Sequence, residues 1–552
     1  MKKSITKFVA IISIAITSVF TVGFTESYFE VSKNLDIFAT LFRELNIYYV
    51  DDANPGDLMK TGIDAMLESL DPYTNYIPES KMEDYKMMTT GQYGGIGAVI
   101  QTKGDNVIIS EPYEGFGADK AGLMAGDKII KVDGNDASGK SSTEIREFLL
   151  GQPGTTLELV IERPGTEELL TKTVTREEVK IKDVPYSGMV ADSIGYIRLG
   201  GFTESASAEV KSALADLKEK GANKIILDLR GNGGGLLRES VNIVNFFVDK
   251  GTPVVSTKGK IKDWDKNYVA LNDPIDTEIP VVILVNGGSA SASEIVSGSL
   301  QDNDRAVVMG SLSFGKGLVQ QVRPLSYNSK LKVTVAKYYT PSGRCIQKLD
   351  YSNKNDKGKA DAVPDSLITE FKTVNSKRPV FDGKGVAPDI EVKNKLLSDI
   401  SASLLIKSLF FDFATNYRLK NETIAAVENF ALTDTEYDEF VAFLSDKDYE
   451  YTTESEDILV SLEKAAKEEE SFDDLKAEYE ALKDKLNTNK EGDLYKFKDE
   501  IKRILESEIV SRYYYQTGQI KVSLKHDIIL EEAIKTLNNK VLYNSILAGT
   551  NE

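Results

Sequence analysis

The chain has 552 residues, 41% hydrophobic and 9% aromatic, enough to fill the cores of three or four domains and too apolar for a disordered protein. Its 86 acidic residues against 67 basic ones give a formal net charge of −19, which repels phosphate backbones; no clustered Lys/Arg stripe opposes it, so nucleic acid is not an expected partner. A single cysteine, Cys345, excludes an intrachain disulfide and a cysteine-based zinc cluster, and a single histidine, His526, excludes any site that needs paired imidazoles.

The N-terminal stretch "MKKSITKFVAIISIAITSVFTVGF" has a basic start followed by about 17 apolar residues, so residues 1–25 read as a signal peptide or a membrane anchor of an exported chain. No small-x-small cleavage site stands out before "TESYFE", and both forms of leader stay open. No second apolar run approaches the ~20 residues of a further span. Residues 26–88 are helical in pattern, with "LDIFATLFRELNIYYV" and "DLMKTGIDAMLESL" repeating apolar side chains at three and four spacing. At residue 89 the texture turns glycine-rich and strand-like, "GQYGGIGAVIQTKGDNVIISEP". A helical "SSTEIREFLL" and a strand "TLELVIERPG" follow, a compact domain over 89–168.

Residues 169–395 carry α/β signals. The strands "IGYIRL", "KIILDL", "PVVILVN" and "RAVVMG" alternate with the helical "ESASAEVKSALADLKEK" and "SEIVSGSLQD". "LVQQVRPL" and "KLKVTVAKYYT" have no helix between them and should pair antiparallel at one side of that sheet. From 396 to 552 the chain is acidic, rich in Lys and Glu, and helical in period, an all-α extension.

"NGGSASASEI", residues 286–295, sets three serines at alternate positions behind "PVVILV". Ser291 and Glu294 form an S-x-x-E pattern, which is that of a helix capping box. A serine where a strand turns into a helix also presents Oγ outward, with the next N–H, that of Ala292, available to a developing oxyanion. The pattern alone leaves cap and nucleophile both open. A serine nucleophile without a metal needs His or Lys as its base. His526 stands far away in the charged extension, whereas Lys316 in "SFGKGLVQQ" lies between two glycines, where small neighbours let its ammonium pack against the fold. Such a lysine acts as a base when desolvation lowers its pKa towards neutrality; otherwise it is a solvated loop lysine. "GSLSFGKG" satisfies G-x-x-x-x-G-K, but Gly317 replaces the Ser or Thr that would bind Mg²⁺ and a strand replaces the phosphate-holding helix, which argues against nucleotide binding.

Together "NGGSASASEIVSGSLQDNDRAVVMGSLSFGKGLVQQ", "DLRGNGGGLL" and "GVAPDIEV" resemble the C-terminal processing peptidases, the tail-specific serine proteases with a Ser/Lys dyad. In that family the serine stands 25 residues before the lysine of F-G-K-G, which implies Ser291 as nucleophile and Lys316 as base, with the glutamine four residues on, Gln320, orienting the lysine. The glycine loop implies one oxyanion amide, with Gly234 preferred over Gly235, and Ala292 the other; proline is common in the family where Gly233 stands. "YGGIGAVI" with "KAGLMAGDKIIKVDG" resembles a PDZ domain, in which the backbone around Gly95, Ile96 and Gly97 would take a peptide's terminal carboxylate.

The resemblance implies a multidomain α/β protein: a PDZ domain and a crotonase-like α/β protease core, flanked by the helical N-terminal segment and the all-α C-terminal extension. It implies a periplasmic or envelope-facing endopeptidase, either released or anchored to the inner membrane through its N-terminus, acting through an acyl-enzyme on proteins with free C-termini. No metal or cofactor is implied. The extension, which minimal members of the family lack, is expected to serve a homo-oligomer or an adaptor, and Cys345 is expected to be inert. The competing reading is a catalytically silent PDZ scaffold of the cell envelope.

Overall fold

The computed structural model describes residues 28–355, 358–393, 396–486 and 490–550; the leader expected over 1–25 lies outside them. The chain divides into two compact units, Met1–Tyr76 and Ile77–Glu552. In the first, a helix spans residues 28–48 and a second runs over Pro55–Glu68. The second opens where the sequence demands: Asn54 Oδ1 accepts the Gly56 N–H and Pro55 takes the first helical position, where its missing N–H has no cost. Among the described residues no helix is long and apolar enough to cross a membrane.

The larger unit begins with the helix Met82–Thr90, stopped by Gly91 in the left-handed region at φ 71°. The strand Gln92–Gly95 then pairs antiparallel with Glu177–Lys180, so the chain enters and leaves a small domain through a two-stranded neck. Inside the neck the antiparallel sheet runs Ala98–Lys103, Asn106–Pro112, Lys128–Val132, Thr156–Glu162, Leu170–Thr175 in spatial order. "TLELVIE" buries alternate residues, and Leu157, Leu159 and Ile161 join Val107, Ile109 and Ile129 in the core. Ala98–Lys103 is the edge of this sheet, and the helix Ser142–Leu149 lies beside it, tied by a hydrogen bond from Ser142 N–H to Thr102 Oγ1 (3.0 Å).

The central sheet has the order Tyr186–Ala191, Ile194–Arg198, Lys224–Asp228, Val281–Val285, Val307–Gly310, Ile390–Glu391, parallel throughout except for its first pair. Its strands are apolar runs because both faces are covered. Ile225, Leu227, Ile283 and Val308 face the helices Ala206–Glu219, Leu237–Asn245 and Ala292–Asp302. Ile226, Val282, Leu284, Val307 and Met309 face the other way, onto Ile529, Leu530, Ala533, Leu537, Tyr543 and Ile546. Those six come from the last two helices, Ile528–Asn538 and Lys540–Ala548. The extension is all-α, as expected, yet its end completes the central α/β layer.

The rest of the extension has its own core of Phe410, Phe413, Tyr437, Phe440 and Ile509. Its long helix Lys498–Leu524 is broken at Tyr515, with φ 52° and ψ −159°. Leu318–Pro324 and Lys330–Tyr339 do pair antiparallel, but in a separate sheet with Pro253–Gly259 and Lys266–Val269. The hairpin is held away from the central sheet because its second strand, Lys330–Tyr339, pairs on its other side with Pro253–Gly259; the central sheet's own edges are Tyr186–Ala191 and Ile390–Glu391.

Candidate active site

The strand Val281–Val285 ends in a tight loop, and the helix Ala292–Asp302 starts from it with all of its residues buried. The three alternating serines have different fates in this turn. Ser289 and Ser293 are fully buried, and their hydroxyls donate to the carbonyls of Leu229 and Asn232 (2.8 Å each), stitching the turn to the glycine loop. Ser291 is half-buried and lines a cavity of about 640 Å3. Its backbone stands at φ 57° and ψ −111°, a region that a residue with a Cβ occupies only when its surroundings force it. Strain of this kind, between a strand and a helix, is what presents a nucleophile's Oγ to a cleft. Ser291 also occupies the N-cap of the helix, so cap and cavity residue are one and the same.

Lys316 and Gln320 line the same cavity, reached from the loop before Leu318–Pro324 and from that strand itself. Gln320 Nε2 donates to Thr334 Oγ1 (3.2 Å) across the hairpin. The sequence-predicted Ala292 and Gly234, and the alternative Gly235, are also in the wall, with Gly233 beside them. His526 is exposed and is not among the cavity residues. Gly95, Ile96 and Gly97 lie outside the cavity, buried where the neck strand meets the edge strand of the small domain. The carbonyls of Ile96 and Gly97 accept from the N–H groups of Ala118 (2.7 Å) and Tyr113 (2.8 Å).

Gly234 is held tightly against the serine turn. At φ 99° it packs so closely on the turn that a Cβ there would lie 2.8 Å from Ser291 Cβ and 2.9 Å from Ala292 N. Only glycine fits, but its N–H donates to Asn232 Oδ1 (2.9 Å), so in this conformation Gly234 is not turned towards an oxyanion. Ala292 N–H heads the helix, where no intrahelical acceptor exists.

Glu294, read from sequence only as a capping residue, is the hub of the site. Its Oε2 accepts the N–H groups of Ser291 (2.8 Å) and Lys316 (2.9 Å), and its Oε1 accepts the Gly315 N–H (2.7 Å) and the Ser313 hydroxyl (2.5 Å). One buried carboxylate thus fixes the backbone of both predicted catalytic residues. Burial pushes its pKa above the ordinary carboxylate value, against the four hydrogen bonds, which favour the ion. Tyr338, fully buried, donates from its OH to the Ser291 carbonyl (3.2 Å).

The glycine loop is anchored from behind. Asp228, fully buried at the end of its strand, accepts from Tyr196 OH (2.6 Å), Arg198 (2.8 Å) and Arg230 (2.7 Å), and Arg230 reaches on to Asp527 of the extension (2.5 Å). Burial works against the Asp228 carboxylate, but Arg230, Arg198 and the Tyr196 hydroxyl hold its pKa below the usual range. Sequence reading missed this network because Asp527 lies nearly 300 residues from Arg230. Burial also pushes the Cys345 thiol up, away from its reactive thiolate. Among the described residues no group of three or more His, Cys, Asp or Glu is placed to hold a metal ion.

Family models match three stretches: peptidase family S41 over residues 193–352, a PDZ domain over 85–162, and the C-terminal helical domain of a probable PDZ-protease over 400–537. A carboxy-terminal-processing protease of Bartonella bacilliformis is 38% identical over 319 residues, 57% of this chain and 73% of that protein. A probable CtpA-like serine protease of Staphylococcus aureus is 37% identical over 316 residues, 57% of this chain and 62% of that one. Among solved structures, the photosystem II D1 C-terminal processing protease is 29% identical, covering 65% of this chain and 93% of its own, with a TM-score of 0.35.

Proposed function

The chain belongs to peptidase family S41, the serine peptidases that include carboxy-terminal-processing proteases, and on that premise we propose that it is an endopeptidase working through a Ser291/Lys316 dyad. Lys316, neutral at rest, takes the proton from Ser291 Oγ as that oxygen attacks the substrate carbonyl. The lysine then returns the proton to the leaving amine, and water activated in the same way releases the acyl group from Ser291. Ala292 N–H holds the oxyanion together with an amide of the glycine loop. Gly234 serves as that second donor only once its N–H leaves Asn232; Gly235 is the alternative. Gln320 steadies Lys316 from the Gln320–Thr334 pair.

The observation that supports this reading most is convergence: the strained Ser291, Lys316, Gln320 and the glycine loop line one cavity, and Glu294 holds the backbones of the serine and the lysine together. Around this core the proposed organisation is a leader at 1–25 that exports the chain to the cell envelope, a helical segment at 26–88, a PDZ domain at 89–168, the protease core at 169–395 and the extension at 396–552. The PDZ domain would capture substrate C-termini at Gly95–Gly97 and along the edge strand Ala98–Lys103. The extension would offer a surface for a second copy or an adaptor. Cleavage of casein by the purified chain, with Ser291→Ala as control, tests the reading.

A further inference from the structure

The active-site cavity is electrostatically at odds with the rest of the molecule. In a chain of net charge −19, the ionisable groups that line it among the described residues, tyrosines aside, are Lys316, Lys332 and Arg238, with no carboxylate among them. Arg238 is exposed and paired with Glu204 (3.2 Å) and Glu239 (3.4 Å). Lys332 is different. It stands on the strand Lys330–Tyr339 opposite Val322, one same-face position beyond the Gln320–Thr334 rung, so it is about 7 Å further along the cleft. The residue is half-buried, burial lowers its pKa, and among the described residues it forms no salt bridge with a carboxylate.

A desolvated ammonium in a substrate cleft, without a carboxylate of its own chain, is satisfied when the ligand brings one. We propose that Lys332 is a specificity residue that pairs with a substrate carboxylate bound in the cleft beyond the Gln320–Thr334 rung. Two sources share that chemistry: an Asp or Glu side chain a few residues from the scissile bond, and the free carboxylate of a short C-terminal tail. The inference rests on the peptidase reading above and adds to it a charge preference that neither the dyad nor the PDZ domain requires.

The test uses the full chain and one fluorogenic peptide series, with Glu, Gln or Lys walked through the positions on each side of the cleaved bond, each peptide made as free acid and as amide. At one position Glu should exceed Gln in kcat/KM by about ten- to a hundredfold, the range of a charge-assisted hydrogen bond, or else acid should exceed amide by that factor. The position and terminus that respond identify the source. Lys332→Met should bring the responsive ratio close to one through loss on the carboxylate-bearing peptide. Lys332→Glu should invert the preference in favour of the Lys peptide, a gain that only a folded enzyme can give. A charge ratio unchanged by both variants, or an equal loss on every peptide, overturns the inference while leaving the peptidase reading standing. A wild-type chain that cleaves no peptide overturns the peptidase reading and this inference with it.

Discussion

Glu294 is the residue on which the geometry of the site turns, since each of its oxygens accepts two donors and the four donors belong to Ser291, Ser313, Gly315 and Lys316. Glu294→Gln keeps one acceptor oxygen and presents an NH₂ to the other pair. Two buried donors then lose their acceptor, at about 1–3 kcal/mol each. Turnover should fall at least tenfold with KM little changed, because the backbones of serine and lysine shift while the cleft walls stay; steady-state kinetics reads the split. The same carboxyl links stability to pH. Its folded pKa is raised by burial, so its contribution to stability is complete below the ordinary value of 4.5 and is lost as pH rises through the raised one. Over that interval the carboxylate that accepts all four donors forms, so activity should rise as this contribution falls. Melting temperature and kcat/KM measured against pH should show opposite trends over that interval in the wild type, and both trends should be weaker in Glu294→Gln.

At the level of elements, legibility followed from how local each signal is. The strands Val281–Val285 and Lys224–Asp228 are readable because burial on both faces demands unbroken apolar runs, and the helix Ser142–Leu149 falls within the helical pattern of "SSTEIREFLL", where Ser141 and Glu144 close a capping box. The candidate site is suggested in the sequence by the family resemblance, which gives the spacing of Ser291, Lys316 and Gln320 its meaning; the residues alone leave cap and nucleophile open. The strain at Ser291 and the crosslinks of Ser289 and Ser293 depend on where the glycine loop lies, which no local pattern carries. Gly234 was read as an amide donor because glycine loops supply amides; its packing against Ser291 and its bond to Asn232 are tertiary facts. The Asp228 network lies beyond sequence reading for the same reason. Asp228→Asn leaves Arg198 and Arg230 with a neutral partner and should cost about 3–5 kcal/mol, measured by urea unfolding. Because the Asp228 pKa is depressed, its contribution is present above 3.8 and lost as pH falls through the lower folded value. The mutant should therefore approach the wild type in stability at acid pH.

On the scale of the whole Ile77–Glu552 unit, the extension acts as a clasp. Its last helices cover the second face of the central sheet, Asp527 at the N-cap of one of them holds Arg230 of the glycine loop, and Tyr515 OH donates to Asp119 Oδ1 of the small domain (2.7 Å). Lys103 of the small domain pairs with Asp412 of the extension. Truncation at residue 526 should therefore do more than remove an accessory surface: it uncovers Ile226, Val282, Leu284 and Met309, and the product should bind a hydrophobic dye or aggregate. Leu530→Ala, a milder probe of the same seam, should cost about 2–5 kcal/mol in thermal or urea unfolding and leave the fold recognisable. Tyr515→Phe removes the link to Asp119, and hydrogen exchange should then rise selectively at the junction of small domain and extension.

The proposed chemistry requires Ser291 and Lys316 to act as one catalytic unit. The most direct measurement is the rate of casein cleavage by the purified full chain beside Ser291→Ala, Lys316→Ala, the double variant and His526→Ala. Each of the first two should abolish turnover, the double variant should be no worse than either alone, since groups acting as a unit give non-additive losses, and the histidine variant should cleave at nearly the wild-type rate. Wild-type cleavage that survives in Ser291→Ala or Lys316→Ala, or that disappears in His526→Ala, would contradict the proposed chemistry.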